Sequence, residues 1–268
     1  MLPILLTASV ETRGMKGAKF SAREREKMYV DTLNYYISDL SKRKGDFILV
    51  FAENSGWDMN SITEKLVQAE NVCIEYEALS PELFDQSKGK SYNEMLILDL
   101  VTERNKSIRD AGGFFKLTGR FPILNLYKLM QEVDRRNHDG HIRLYQDCKD
   151  HNVYEWLHLP INGHAADCRY FAISLDFYDK YIRGKYKLLN DYDGKCVEWF
   201  FLQVIREHKN ESGVYGRFCT QAHFTGSGGH SLGNGNAFFY STNNDSTIMK
   251  IKRNIRQLLR WIIPWWWV

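Results

Sequence analysis

No stretch of the sequence reaches the roughly 18 consecutive apolar residues that a transmembrane helix requires. The five cysteines are scattered and never spaced as Cys-x-x-Cys, which is typical of a reducing compartment and of a protein without structural zinc. Positive charge is in little excess, with 36 basic against 33 acidic residues, so nothing indicates a nucleic-acid partner. We therefore expect a cytoplasmic protein.

Familiar catalytic motifs are also missing. The sequence has no Gly-x-Gly-x-x-Gly after a predicted strand, no phosphate-binding Walker loop, no Gly-x-Ser-x-Gly and no His-Glu-x-x-His. These absences weigh against dehydrogenases, nucleoside triphosphatases, serine hydrolases and metalloproteases. Any chemistry must come from less regular sets of residues.

The apolar content of 44% is sufficient for one buried core, and strand patterns alternate with helix patterns. The fold prediction is an α/β protein with a mainly parallel sheet. Predicted strands cover residues 3–10, 47–53, 72–76, 114–121, 142–145 and 169–175. Predicted helices cover residues 22–40, 92–109, 177–183 and 197–208.

A glycine-rich run occupies residues 224–236, FTGSGGHSLGNGN. Its glycines make it too flexible for a helix or a strand, so we expect a loop. Two interpretations stay open at this point, a loop that covers a substrate and a plain connection.

The C-terminal segment, residues 248–268, has the pattern of an amphipathic helix. Apolar residues at helical spacing are Ile251, Ile255, Leu258, Leu259 and Ile262, and opposite them lie Lys252, Arg253, Arg256 and Arg260. Pro-Trp-Trp-Trp-Val follows. A basic amphipathic helix with tryptophans favours binding to an anionic membrane surface, and docking on the protein's own core is the alternative. We expect residues 1–247 to form the catalytic domain.

One run resembles a known family. Residues 88–120 carry a Lys-Gly, Glu-Met and Lys-x-Thr-Gly-Arg series, and residues 53–58 and 171–181 extend the likeness. The chain thereby resembles bacterial glycosyltransferases of capsule and lipopolysaccharide biosynthesis. The resemblance implies a GT-A-like fold, with a mixed, mainly parallel sheet flanked by helices. It also implies a nucleotide-sugar donor and a lipid-linked saccharide acceptor, used on the inner face of the cell membrane.

The sequence departs from the GT-A pattern in one respect. Such enzymes end a middle strand with Asp-x-Asp, which holds a divalent cation on the donor diphosphate. Residues 117–120 read Leu-Thr-Gly-Arg instead, so Arg120, helped by Lys116, is the expected phosphate clamp. Dependence on Mg²⁺ or Mn²⁺ stays open, and Asp191 and Asp193 are weaker metal candidates because they lie in a polar turn that we expect to cap the following helix.

An inverting enzyme also needs a carboxylate that accepts the proton of the acceptor hydroxyl. Glu198, at the start of a late helix, is the first candidate for this base, and Asp176, after a strand-like run, is the second. Glu198 favours inversion over retention. Both carboxylates could equally be solvated or cap a helix.

Donor contacts are predicted at the ends of strands and near the glycine-rich run, where loops present side chains to ligands. The predicted donor-binding residues are Ser9, Glu11, Thr12, Arg13, Glu53, Asn54, Lys90, Lys116, Thr118, Gly119, His223 and His230. Two other hypotheses for the function stay open. The protein is a membrane-peripheral scaffold without catalysis, or it is a nucleotide-sugar hydrolase or phosphotransferase.

Overall fold

The computed structural model describes residues 1–137, 142–160, 162–231, 237–240 and 247–263, and at 229–231, 237–240, 248–249 and 252 only the backbone. In chain order its elements are β1 (Ile4–Ala8), α1 (Ala22–Leu40), β2 (Phe47–Glu53), α2 (Asn60–Thr63), β3 (Val72–Ala78), α3 (Lys90–Arg104), α4 (Lys106–Asp110), β4 (Gly113–Thr118), α5 (Leu126–Asn137), β5 (Leu144–Asp150), α6 (Val153–Trp156), β6 (His164–Ser174), α7 (Leu175–Tyr181), α8 (Val197–His208), β7 (Val214–Tyr215), β8 (Gly226–Ser231), β9 (Ala237–Tyr240) and α9 (Thr247–Ile262).

The main sheet has the strand order β3-β2-β1-β4-β6-β5-β7. Strands β1 to β4 are parallel, β6 runs antiparallel to β4 and β5, and β7 is parallel to β5. The predicted α/β fold class, with a mixed and mainly parallel sheet flanked by helices, is confirmed.

Alternating side chains of the strands face two separate cores. Leu5 of β1 belongs to the core that contains Met95 and Leu98 of α3 and Phe201 of α8. Its neighbour Leu6 belongs to the core that includes side chains of α1 and α5. Both faces of the sheet are therefore covered, as in other mainly parallel sheets.

Helix α1 begins where the sequence predicts, because Ser21 and Glu24 form a capping box. The Ser21 hydroxyl accepts the backbone N–H of Glu24 at 3.3 Å, and the Glu24 carboxylate accepts the N–H of Ser21 at 2.8 Å. These bonds satisfy N–H groups that have no partner within the helix. The predicted limits of 22–40 are confirmed.

The single helix predicted over residues 92–109 is wrong, because it is interrupted at Asn105. Asn105 has extended backbone angles, φ −70° and ψ 117°, and its side chain accepts the N–H of Ile108 at 3.0 Å. The side chain thus caps a new helix, α4. An N-cap residue that leaves helical geometry ends one helix as it starts the next.

Two other predictions need correction. Helix α5 was not predicted, although Leu126, Leu129, Met130 and Val133 are buried at helical spacing. The glycine-rich run was predicted to be too flexible for a strand, but Gly226–Ser231 forms β8, which pairs antiparallel with β9. The pairing of β8 with β9 supplies backbone hydrogen bonds, which the glycine content of the run does not predict. Residues 232–236 of that run lie outside the described residues.

The predicted C-terminal amphipathic helix is confirmed as α9. Within the described part of the chain, no helix has the length and apolarity to cross a membrane. The division into a domain of residues 1–247 and a membrane-surface segment of 248–268 stays a prediction.

Candidate active site

A cavity lies where the carboxyl ends of β1 and β4 meet the beginnings of α1 and α3. Its floor is formed by Thr7 of β1 and Thr118 of β4, and α3 contributes one wall with Asn93. Five predicted site residues line this cavity: Ser9, Thr12, Lys90, Thr118 and Arg120. Parallel strands place their carboxyl ends at one edge, where α/β proteins commonly bind ligands.

The loop after β1 is held in place by α1. The backbone N–H of Ser9 donates to the Tyr29 hydroxyl at 2.9 Å, and its carbonyl accepts the Arg25 guanidinium at 2.7 Å. The Ser9 hydroxyl in turn donates to Asn54 Oδ1 at 2.5 Å. This loop therefore forms a stable wall of the cavity.

Glu53 organises the loops that follow β1 and β2. Its side chain is buried, and its oxygens accept backbone N–H groups of Val10 at 3.0 Å, Ser55 at 2.9 Å and Trp57 at 3.2 Å. Asn54 is buried beside it. Glu53 and Asn54 are both predicted to bind the donor, and through these contacts they support the cavity wall.

Glu11 and Arg13 are exposed on the same loop. The N–H of Glu11 donates to the Ser55 hydroxyl at 2.9 Å, and Arg13 Nε donates to the Ser55 carbonyl at 3.2 Å. Arg13 also has a positive φ of 46°, which places it in a tight turn. Neither residue lines the cavity.

A buried ion pair joins Glu94, which lines the cavity, to Lys116 behind it. Lys116 is 1% exposed, and its ammonium contacts the Glu94 carboxylate, the Cys168 carbonyl at 2.7 Å and the Thr118 hydroxyl at 3.2 Å. Thr7 donates to the same carboxylate at 3.0 Å. The charge of Lys116 is thus compensated within the protein, and the contact with a donor phosphate expected from the sequence stays a prediction.

Lys90 is one of the cations that line the cavity. Its ammonium lies 3.9 Å from Glu94 Oε2 and 3.9 Å from Glu198 Oε1, which is longer than a hydrogen bond. Burial works to lower the pKa of Lys90, but Glu94 and Glu198 outweigh it and the pKa is raised overall. Lys90 therefore stays charged. At these distances neither carboxylate accepts a hydrogen bond from its three N–H groups.

The charges around the cavity are suited to an anion. Arg25, Lys90 and Arg120 all line it, while the negative charge of Glu94 is balanced by Lys116 beneath. Arg120 is close enough to Lys90 that its positive charge works to lower the pKa of the Lys90 ammonium. Cations brought together in this way favour a ligand with several negative charges, such as a diphosphate.

A second cavity adjoins the first and shares Lys90 with it. Its other lining residues include Lys16, Ser91, Asp191, Tyr192 and Glu198. Glu198 lies in the first turn of α8, where the sequence predicts it, and its side chain is 38% exposed. The candidate base therefore lies beside the cationic cavity and remains open to solvent.

The predicted metal candidates Asp191 and Asp193 have other partners. Asp191 Oδ2 accepts the N–H of Ser91 at 3.0 Å and so caps α3, not the following helix α8 as expected from the sequence. Asp193 accepts the side-chain amide of Asn190 at 2.7 Å within its turn. Among the described residues, no group of three His, Cys, Asp or Glu side chains is arranged to hold a metal ion.

Asp176 lies away from both cavities. It is exposed in the first turn of α7, directly after β6. Because β6 runs antiparallel to β4, with Ser174 opposite Gly113, its carboxyl end lies at the other edge of the sheet from Thr118. Asp176 and Glu198 therefore do not share a cleft.

The predicted histidines and Gly119 have different surroundings. His223 lies beside the start of α5, where its N–H donates to Asn125 Oδ1 at 2.8 Å, and it does not line either cavity. The side chain of His230 lies outside the described part of the chain. At Gly119 a Cβ atom would approach the Thr7 carbonyl to 3.0 Å, so a glycine permits the close contact between β4 and β1.

Sequence reasoning did not assign Asn93 to the site. Asn93 lines the first cavity, and its amide donates to the carbonyls of Asp85 at 2.9 Å and Gly89 at 2.8 Å. Its Oδ1 is buried and has no hydrogen-bond partner among the described residues. A buried acceptor of this kind suits a ligand hydroxyl. Its position three residues after Lys90, one helical turn along α3, is the signal that could have identified it.

Replacing Lys116 with Met should lower the free energy of unfolding by about 3–5 kcal/mol, because Glu94 would be left buried without its cation. Urea unfolding at neutral pH measures this difference. Lys128→Met on α5 is the matched control, since Lys128 forms no ion pair with another described residue. Equal stability of the Lys116 variant and the control would contradict the structural role of the pair.

The same pair predicts a pH dependence. Burial by itself would raise the pKa of Glu94, but Lys116 and Lys90 outweigh it and lower the pKa from 4.5 to about 2. A lowered pKa in the folded state gives stability that is present above pH 4.5 and is lost as the pH falls towards 2. The stability difference between the wild type and Glu94→Gln should therefore shrink over this range, and a constant difference would contradict the assignment.

Comparison with known proteins identifies similarity in fold. No protein-family profile and no curated protein sequence matches the chain. The solved structure of the WbbM bifunctional glycosyltransferase is similar with a TM-score of 0.42 and 8% identity, over 77% of this chain and 37% of that one. The chain thus spans little more than a third of the WbbM chain.

Two further solved structures are similar to a comparable extent. Mouse xyloside xylosyltransferase 1 has a TM-score of 0.43 and 13% identity, over 78% of this chain and 82% of that one. HddC from Yersinia pseudotuberculosis has a TM-score of 0.41 and 13% identity, over 84% and 93% of the two chains.

Proposed function

We propose that the chain is a glycosyltransferase that moves a sugar from a nucleotide-sugar donor to a lipid-linked saccharide in the synthesis of a bacterial surface polysaccharide. The observation that carries the proposal is the cationic cavity at the carboxyl ends of β1 and β4, together with its shared residue Lys90. A site with several cations and with adjacent carboxylates, Glu198 among them, suits transfer from a diphosphate leaving group.

In this proposal the donor diphosphate binds between Lys90 and Arg120. Both are cations of the first cavity, and Lys90 also borders the second. Their charges would neutralise the negative charge that grows on the diphosphate as its bond to the sugar breaks. Ser9 and Thr12 would contact the nucleoside from the loop after β1, and Asn93 Oδ1 would accept a hydroxyl of the donor.

The acceptor would occupy the second cavity, beside Glu198. Glu198 takes the proton from the acceptor hydroxyl, the hydroxyl oxygen attacks the anomeric carbon, and the nucleoside diphosphate leaves. Attack from the side opposite the leaving group inverts the configuration at that carbon. The carboxylate lies 3.9 Å from Lys90, so base and phosphate clamp are adjacent.

The proposal is tested by the products formed from labelled nucleotide sugars. Purified protein is incubated with UDP, GDP, CMP and dTDP sugars, with and without lipid-linked saccharide acceptors. We expect the label to enter the lipid-linked product, with little free sugar. Release of free sugar alone would favour a hydrolase, and no reaction with any donor would favour a scaffold without catalysis.

A further inference from the structure

Helix α9 is attached to the domain through its polar side. The Arg260 guanidinium is buried, and it donates to the Asp147 carboxylate at 2.6 Å and 2.8 Å and to the Phe218 carbonyl at 2.8 Å. One turn earlier, Gln257 donates to the Cys219 carbonyl at 2.7 Å and accepts the N–H of Gln221 at 2.9 Å. Charge and hydrogen bonds therefore hold the helix in place.

The opposite side of α9 is apolar and exposed. The exposed fractions are 53% for Ile251, 51% for Ile255, 51% for Leu258, 68% for Trp261 and 60% for Ile262. An amphipathic helix on a globular domain normally buries this side and exposes its charges. The reversed orientation indicates that another apolar phase covers the helix.

The charge of α9 identifies the kind of surface that covers it. Residues 247–263 contain five basic residues and no acidic residue. Lys250 and Arg256 are exposed along the helix. A second copy of this helix would bring like charges together, whereas anionic lipid headgroups would attract them.

A second exposed apolar group follows β5, the strand that α9 contacts through Arg260 and Asp147. In the connection between β5 and β6, the exposed fractions of Trp156, Leu157 and Leu159 are 78%, 50% and 43%. The ammonium of Lys149 lies 5.9 Å from the ring centre of Tyr154 in this connection. Asp147, two residues before Lys149 on the same strand, accepts the Arg260 guanidinium of α9, so β5 joins this connection to the helix.

We propose that the exposed apolar side of α9 and the tip formed by Trp156, Leu157 and Leu159 together make one bilayer-docking surface for anionic membranes. Apolar side chains would enter the boundary of the acyl chains, while the flanking cations contact headgroups. The tip follows the carboxyl end of β5, which lies at the same edge of the sheet as Thr118. Docking would therefore bring the edge that holds the site towards the bilayer.

The test is flotation of the purified full chain with vesicles of phosphatidylcholine alone or mixed with phosphatidylglycerol. We expect binding to the anionic vesicles. Ile255→Ser with Leu258→Ser should weaken it by about tenfold or more, since both side chains would leave the apolar phase. Trp156→Ser with Leu157→Ser should weaken it by a similar factor.

The matched control replaces two exposed leucines elsewhere, Leu83→Ser with Leu188→Ser, whose exposed fractions are 53% and 55%. This variant should bind vesicles as the wild type does. Thermal unfolding establishes that each variant is folded, and calorimetry of donor binding without vesicles measures the site independently of the bilayer.

Three results would overturn the proposal. If the α9 variant binds vesicles as tightly as the wild type, α9 is not part of the docking surface. If the tip variant does so, the tip is not part of it. Sedimentation could instead show a dimer that the α9 substitutions dissociate, without vesicle binding, which would identify a second copy of the chain as the occupant of this face.

Discussion

Replacement of Lys90 by Ala is expected to lower turnover by about 10²- to 10³-fold, because a cation that stabilises the leaving diphosphate would be lost. The ammonium of Lys90 borders both cavities and lies 3.9 Å from each of two carboxylates. The expected effect is therefore on the chemical step as well as on donor affinity. Steady-state rates with the donor varied separate the two contributions.

The control for this variant is Lys88→Ala. Lys88 is two residues away in the chain and lines neither cavity, so turnover should stay close to that of the wild type. Arg120→Ala should resemble the Lys90 variant, since Arg120 lines the first cavity. Full activity in both cavity variants, with intact folding, would contradict the assignment of the diphosphate site.

Replacement of Glu198 by Gln is expected to lower turnover by about 10²- to 10⁴-fold, since the amide cannot accept the proton of the acceptor hydroxyl. Donor affinity should change little, because the proposed donor site is the neighbouring cavity. Single-turnover rates and donor titration measure these two quantities.

Asp176→Asn provides the matched comparison for Glu198→Gln. Both residues are carboxylates in the first turn of a helix, but Asp176 lies at the opposite edge of the sheet. Its variant should retain normal turnover. A large loss in the Asp176 variant, with normal turnover in the Glu198 variant, would exchange the roles assigned to these residues.

Much of the fold could be predicted because its signals are local. The capping box at Ser21 and Glu24 marks the start of α1, and the apolar run of residues 47–53 gives β2 with its observed limits. The signal for α5 was also present, in the spacing of Leu129, Met130 and Val133. By contrast, the pairing of β8 with β9 depends on contacts that composition does not encode.

Site residues at the ends of strands were predicted from the sequence. Features that depend on an ion pair or on the direction of a neighbouring strand were not. Ser9 and Thr118 follow or end parallel strands, so the sequence placed them at one edge. The burial of Lys116 depends on Glu94, which lies 22 residues away on α3. The location of Asp176 depends on the antiparallel direction of β6, which its residues do not specify.

The most direct test of the cationic cavity as a donor site is calorimetric titration of the wild type, Lys90→Ala and Lys88→Ala with the panel of nucleotide sugars in chelator. A donor site at this cavity predicts saturable binding of one nucleotide class by the wild type and the Lys88 variant. Binding by the Lys90 variant should be weaker by about 10- to 100-fold, as expected for loss of a hydrogen bond to a charged group. No binding of any donor by the wild type, or equal affinity in all three proteins, would contradict it.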